Sequence, residues 1–138
     1  MDKKELIEAA LGARAFAYSP YSGFSVGAAL LTKSGRIYTG CNVESVSFTP
    51  TCCAERVAFF KAVSEGERDF VAIAIVGGRT NGSALDICSP CGVCRQVIAE
   101  FCGEDFQIIL ADSSGNSKTY TPSELLPLSF GSRGEVVK

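Results

Sequence analysis

The sequence predicts an α/β protein, a three-layer α/β/α sandwich with helices on both faces of one mixed sheet. Three observations carry this expectation. An uninterrupted apolar run at residues 70–76 and a buried strand at 106–111 alternate with helical segments at 53–65 and 91–101, and strand–helix alternation implies parallel pairing through right-handed crossovers. Two strand segments joined by a tight turn earlier in the chain add antiparallel strands. The whole sequence is 138 residues, which suits one domain, 1–138, with a substantial core and is too short for two.

Residues 2–18 read as an amphipathic helix, because Leu6, Ala10, Ala13 and Ala17 follow the spacing of one apolar stripe. Ser19-Pro20 ends it, since the residue before proline is pushed out of the helical region. Residues 24–32 and 37–43 form a hairpin about the turn Lys33-Ser34-Gly35-Arg36. Residues 44–52, rich in Ser, Thr and Pro, read as a loop, and the helix over 53–65 stops at Gly66. The run Phe-Val-Ala-Ile-Ala-Ile-Val at 70–76 suits a central strand buried on both faces. A glycine-containing loop at 77–90 leads to a helix from about Cys91 to Phe101, with Gly103 as its stop. A buried strand at 106–111, a turn at 113–116 and a short strand at 117–120 follow. Thr121-Pro122-Ser123-Glu124 is a capping box that opens a short helix through Leu126. The tail from Pro127 reads as irregular.

Composition narrows the function. A hydrophobic fraction of 46% fits a well-packed globule, and a net charge of -2 gives no reason to expect a nucleic-acid partner. No apolar stretch is long enough to span a bilayer, and residues 1–20 carry charges where a signal peptide would be apolar. A soluble cytoplasmic protein is the expectation. Seven cysteines, an odd count, argue for metal or catalysis rather than a disulfide framework. With no histidine, Ser–His and Cys–His nucleophiles and Cys/His zinc fingers are excluded.

The chemistry concentrates in Cys53-Ala54-Glu55 and Pro90-Cys91-Gly92-Val93-Cys94-Arg95-Gln96. Cys53, Cys91 and Cys94 offer three thiolates, and three protein ligands leave a fourth tetrahedral position open, as catalytic zinc requires. Cys53 and Cys91 each stand where a helix should begin, and a helix N-terminus favours thiolate over thiol. Two helices starting at one sheet edge bring the sulfurs together, where open α/β sheets place ligands. Glu55 then lies within reach of the open position as a proton acceptor. Three thiolates on Zn²⁺ leave a net negative charge, which Arg56 can offset through hydrogen bonds to sulfur.

Plainer readings of each part remain. Glu55 alone is an ordinary first-turn acid, and Cys-x-x-Cys alone is as often redox-active or structural. Cys88, Cys91 and Cys94 repeat every third residue, a spacing found in iron–sulfur ligation. Cys52 could close a four-sulfur structural site. Cys41, Cys52, Cys88 and Cys102 are most simply buried small apolar side chains.

Together the motifs resemble the zinc-dependent cytidine deaminases of the short, homotetrameric type. Tyr21-Ser22-x-Phe24-x-Val26-Gly27-Ala28-Ala29-Leu30, Gly40-x-Asn42-Val43-Glu44, the two cysteine motifs and Glu124-Leu125-Leu126-Pro127 carry the likeness over nearly the whole chain. The resemblance implies hydrolytic deamination of cytidine and 2′-deoxycytidine to uridine and 2′-deoxyuridine, a step of pyrimidine salvage. Zinc-bound hydroxide would attack C4 while Glu55 moves protons to N3 and to the leaving amine. It implies one Zn²⁺ per subunit on Cys53, Cys91 and Cys94. Asn42 and Glu44 would hold the ribose hydroxyls, and Phe24 would pack on the pyrimidine. The Ala54 N–H would meet the ring carbonyl and the Ser89 C=O the departing amino group. Arg56 and Gln96 would tune the sulfurs. In such tetramers neighbouring subunits complete each pocket, and Phe48 and Phe130 are the candidates here.

By themselves, Phe24 reads as core, Asn42 and Glu44 as one polar face of an extended segment, and Phe130 as a tail anchor. The chain departs from the family's pattern at Leu128-Ser129, where many members have Gly-Ala, and in a longer loop from Gly77 to Ile87. The alternative substrate is another aminopyrimidine nucleoside such as blasticidin S. A structural zinc or redox module is the reading outside enzymes.

Overall fold

The computed structural model describes residues 1–82, 84–131 and 136–137. The chain runs α1 (Lys3–Arg14), β1 (Phe24–Thr32), β2 (Ile37–Cys41), α2 (Ala54–Ser64), β3 (Phe70–Arg79), α3 (Gly92–Phe101), β4 (Gln107–Ala111), β5 (Ser117–Tyr120) and α4 (Pro122–Leu125). Two short strands, β6 (Ser129–Phe130) and β7 (Val136–Val137), close the tail. The main sheet has five strands in the order β2-β1-β3-β4-β5. Only β3 and β4 pair in parallel, joined through α3, while β1–β2, β1–β3 and β4–β5 are antiparallel. This is the mixed sheet expected from a hairpin followed by strand–helix alternation.

The alternating faces of β3 divide the core in two. Ile73 and Ile75 point into a cluster with Phe59 and Ala58 of α2, Ile98 of α3, and Phe106. There Phe59, Phe70, Phe101 and Phe106 pack, mostly edge-on or tilted, at centroid distances of 5.1 to 6.1 Å. Ala72, Ala74 and Val76 face the other way, onto Leu6 and Ala10 of α1. The difference in residue size has a mechanical meaning. Small side chains let α1 lie close on the sheet, and burying each large aromatic on the opposite face contributes about 1.5–3 kcal/mol.

Two glycines set how tightly the helices press down. A Cβ on Gly27 would lie 2.0 Å from the Ala10 carbonyl oxygen, and one on Gly40 would lie 2.3 Å from the Ala54 carbonyl oxygen. No other residue fits at either point without moving a helix.

Several boundaries differ from expectation. α1 ends at Arg14, four residues before the expected limit. Phe16 and Ala17 turn back to the Ala13 and Arg14 carbonyls, and Tyr18 leaves to bridge Val43. β2 stops at Cys41, because Val43 pairs instead with Tyr18 and Cys52. β3 runs on to Arg79, since Gly77, Gly78 and Arg79 continue the ladder with Val26, Ser25 and Phe24. The tail, expected to be irregular, pairs β6 with β7. Thr121 and Glu124 form the expected capping box. Among the described residues no helix is long and apolar enough to cross a membrane.

Candidate active site

α2 and α3 both begin at one end of the sheet, and their first residues build the site. Cys53 and Cys91 are the N-cap residues of the two helices, and neither side chain caps its own helix. Both thiols are therefore available to something else. The Cys53 and Cys91 sulfurs are 3.6 Å apart, those of Cys91 and Cys94 are 3.4 Å apart, and all three lie within 4.8 Å of one another. A tetrahedron with Zn–S bonds of about 2.3 Å needs sulfurs about 3.8 Å apart. The donor set fits a zinc ion with little adjustment. Among the described residues this is the one cluster that can hold a metal.

The electrostatics match. Arg56 donates from Nη2 to the Cys53 sulfur at 3.4 Å, and its Nε is buried without a protein partner. The hydrogen bond with Cys94, and then Arg56, hold the Cys53 thiol down to about 5 against the opposing effect of burial. Cys94 is pushed upward as the proton donor in that pair and by its own burial. A divalent cation bound here would displace the thiol protons.

Glu55 lies in the first turn of α2 and is 4% exposed. Burial pushes its carboxyl up to about 7. A carboxyl at that level can take a proton and return it near neutral pH, which an exposed glutamate cannot do efficiently. Ala54, the first residue of α2, is fully buried. It belongs to the turn whose N–H groups have no partner inside the helix. Ser89 is exposed on the approach to Cys91, and its carbonyl accepts from the Cys88 thiol at 3.9 Å.

Asn42, Glu44 and Phe24 are held to one another through a different device. Asn42 accepts from the Val26 N–H and donates to the Phe24 carbonyl, both at 2.8 Å. Glu44 accepts from the N–H groups of Tyr21 and Ser22 at 3.0 and 3.1 Å, and from the Ser22 hydroxyl. The Ser22 hydroxyl in particular holds the Glu44 carboxyl below its usual range. Asn42 and Glu44 thus work on the same side of their extended segment and brace the Tyr21–Phe24 turn. A cleft of about 370 Å³ opens between Phe24, the end of β3 and residues 84–88.

Phe48 and Phe130 remain outside, 90% and 77% exposed. Gln96, expected near the sulfurs, donates from Nε2 to the Phe130 carbonyl at 2.8 Å. The first turn of α3 therefore reaches the tail. Its neighbour Arg95 donates to the Pro90 carbonyl at 2.8 Å and the Leu125 carbonyl at 2.7 Å. Sequence reasoning gave Arg95 no role, and only its place beside Cys94 could have hinted at one. Cys52 stands outside the sulfur cluster, its backbone paired with Val43. Cys88 lies over Gly77 beside Val26 and is also outside. Neither the closed four-sulfur site nor the every-third-residue cluster forms.

Fold and cluster together define the class as that of the zinc-dependent hydrolases. Residues 1–110 match the family described as the cytidine and deoxycytidylate deaminase zinc-binding region. The cytidine deaminase of Sporosarcina psychrophila is 50% identical over 130 residues, covering 94% of this chain and 92% of that one. The crystal structure of cytidine deaminase from Burkholderia pseudomallei superposes with a TM-score of 0.85 at 44% identity, covering 94% of this chain and 100% of the other. A blasticidin-S deaminase from Bacillus cereus is a more distant relative, 34% identical over 108 residues and 76% of each chain. The chain belongs to the cytidine and deoxycytidylate deaminase zinc-binding family.

Proposed function

We propose that this protein hydrolytically deaminates cytidine and 2′-deoxycytidine to uridine and 2′-deoxyuridine, releasing ammonia, as a step of pyrimidine salvage. The carrying observation is the buried Glu55 carboxyl, held up to about 7, beside three converging sulfurs. Cys53, Cys91 and Cys94 hold one zinc ion per subunit. Zinc held there would lower the pKa of water and so supply a nucleophile near neutral pH. Glu55 passes the proton released from water to N3 of the pyrimidine, then takes the proton of the hydroxyl added at C4 and hands it to the leaving amine. Arg56 offsets the excess thiolate charge.

The Ala54 N–H donates to the ring carbonyl, and the Ser89 carbonyl accepts from the amino group. Asn42 and Glu44 receive the ribose hydroxyls, and Phe24 packs against the base. Gln96 acts less directly, through the Phe130 carbonyl. The reading includes a homotetramer in which Phe48 and Phe130 of neighbouring subunits complete each pocket. Its support is the exposure of Phe16, Val46, Phe48, Leu128 and Phe130, each at least 77% accessible, apolar side chains that a neighbouring subunit would cover. A cytoplasmic setting is supported by seven cysteines that all remain free thiols.

The test is ammonia release from cytidine by zinc-loaded protein, with E55Q as control. E55Q should lose about 10³-fold in kcat while keeping its zinc. Normal turnover by E55Q would overturn the acid–base role. Blasticidin S is the competing substrate, on the strength of the Bacillus cereus relative. Glu44 argues for cytidine, because a carboxylate suits a ribose diol. Faster release from blasticidin S than from cytidine would reverse that choice.

A further inference from the structure

Arg14 ends α1 on the face of the sheet opposite α2 and α3. Its guanidinium spans the ends of two strands. Nε donates to the Ser25 carbonyl at 2.8 Å, and Nη2 donates to the Gly78 carbonyl at 3.0 Å and the Arg79 carbonyl at 2.8 Å. Ser25 and Gly78 are partners across β1 and β3, as are Phe24 and Arg79. Among the described residues the one ion pair is Arg36 with Glu65, so the Arg14 charge meets carbonyl oxygens and no carboxylate.

Beside it three hydroxyls close a ring: Ser19 to Ser25 at 2.8 Å, Ser25 to Thr80 at 2.7 Å, and Ser19 to Thr80 at 3.2 Å. Thr80 donates its N–H to the Gly23 carbonyl at 2.8 Å. Both neighbours of Phe24 are therefore tied down, Gly23 to Thr80 and Ser25 to Arg14. The need is visible in the sequence of the cleft wall. β3 passes the cleft through Gly77 and Gly78, the residue type with the least backbone restraint. A planar guanidinium with several fixed donors immobilises such carbonyls as a flexible ammonium cannot.

We propose that Arg14 is a positioning residue for substrate binding, clamping the ends of β1 and β3 so that Phe24 is presented to the base. It touches no reacting atom and acts through Phe24. The proposal rests on the reading that Phe24 packs against the pyrimidine.

A double-mutant cycle on the zinc-loaded enzyme tests it, comparing wild type, R14Q, F24A and R14Q/F24A on cytidine. R14Q should raise KM about tenfold while kcat changes less than about twofold and zinc content is unchanged. R14K should recover part of the affinity. In the F24A background R14Q should add less than about twofold, because its effect passes through the missing ring. If R14Q multiplied KM equally in both backgrounds, or lowered kcat and zinc content together, Arg14 would be a general structural residue and the proposal would fall alone. If F24A left KM unchanged, the role of Phe24 would fall first and carry this proposal with it. Should R14Q fail to fold, R14K carries the same cycle.

Discussion

The proposed metal end and the proposed substrate end of this site differ in how far they are enclosed. At the metal end, Cys53, Glu55, Arg56, Cys91 and Cys94 come from the first turns of two helices pressed onto the sheet, and Glu55 and Cys94 are buried. At the substrate end, Asn42 and Glu44 brace a surface turn, Phe24 is 40% exposed, and Phe48 and Phe130 face solvent. Groups that move protons need fixed distances and a dry setting, which helix starts under a packed core provide. Groups that admit a nucleoside need an opening. In the proposed homotetramer, the open half is the half that a neighbouring subunit would finish.

The most damaging way to break the metal end is to remove a ligand. Cys94→Ala should abolish zinc retention and cut kcat/KM by more than about 10³-fold. Metal analysis beside the activity assay checks it, and an active, zinc-replete variant would show that two thiolates suffice. Next in size is Gly40→Ala, whose methyl would collide with the Ala54 and Ala58 backbone at 2.3 and 2.7 Å. Urea unfolding should show a loss of about 3 kcal/mol, at the upper end for overpacking against backbone. A neutral result would mean that α2 can shift without harm, and the contrast between a rigid metal end and an open substrate end would weaken.

The substrate end should respond in a different currency. Phe130→Ala and Phe48→Ala should each raise KM about tenfold with kcat little changed. Sedimentation of the same variants tells pocket completion apart from lost assembly. If neither KM nor assembly moved, the pocket would be complete within one chain.

The smallest effect concerns the support of the tail. Glu104 accepts from the Ser123 hydroxyl at 2.6 Å and its N–H at 3.0 Å, tying α4 in place, and the hydroxyl bond above all holds its carboxyl below the ordinary 4.5. A folded-state value below the unfolded one gives stabilisation that is present above 4.5 and fades as pH falls through the folded value. Melting curves of wild type and E104Q should therefore differ slightly near neutral pH and converge in acid. A gap that widened in acid would reverse the sign.

Much of the site could be read from residue order because its chemistry is local. Cys91 and Cys94 share a helical turn, and Glu55 follows Cys53 by two residues. Each helix start carries its own ligands. The mixed character of the sheet was legible for the same reason, since a hairpin adds antiparallel strands and a strand–helix–strand unit a parallel pair; the strand order was not. The extension of β3 through Gly77 and Gly78 was not legible, because glycine signals a loop unless a partner strand is there to pair with it. Arg95 escaped too, and so did the partner of Gln96, because the acceptors, the carbonyls of Leu125 and Phe130, lie about thirty residues away.

Sequence alone determined the α/β/α class, the three thiols, the acid two residues after Cys53 and the family likeness, because these rest on short-range periodicity and on residue types that no other chemistry requires in that combination. Tertiary structure decided what meets across the fold: that two helix starts bring the sulfurs to 3.4–3.6 Å, that burial carries Glu55 toward neutrality, and that Arg14 reaches through to the carbonyls beneath Phe24. Distances between segments and the exclusion of water are properties of packing, and no local run of residues encodes them.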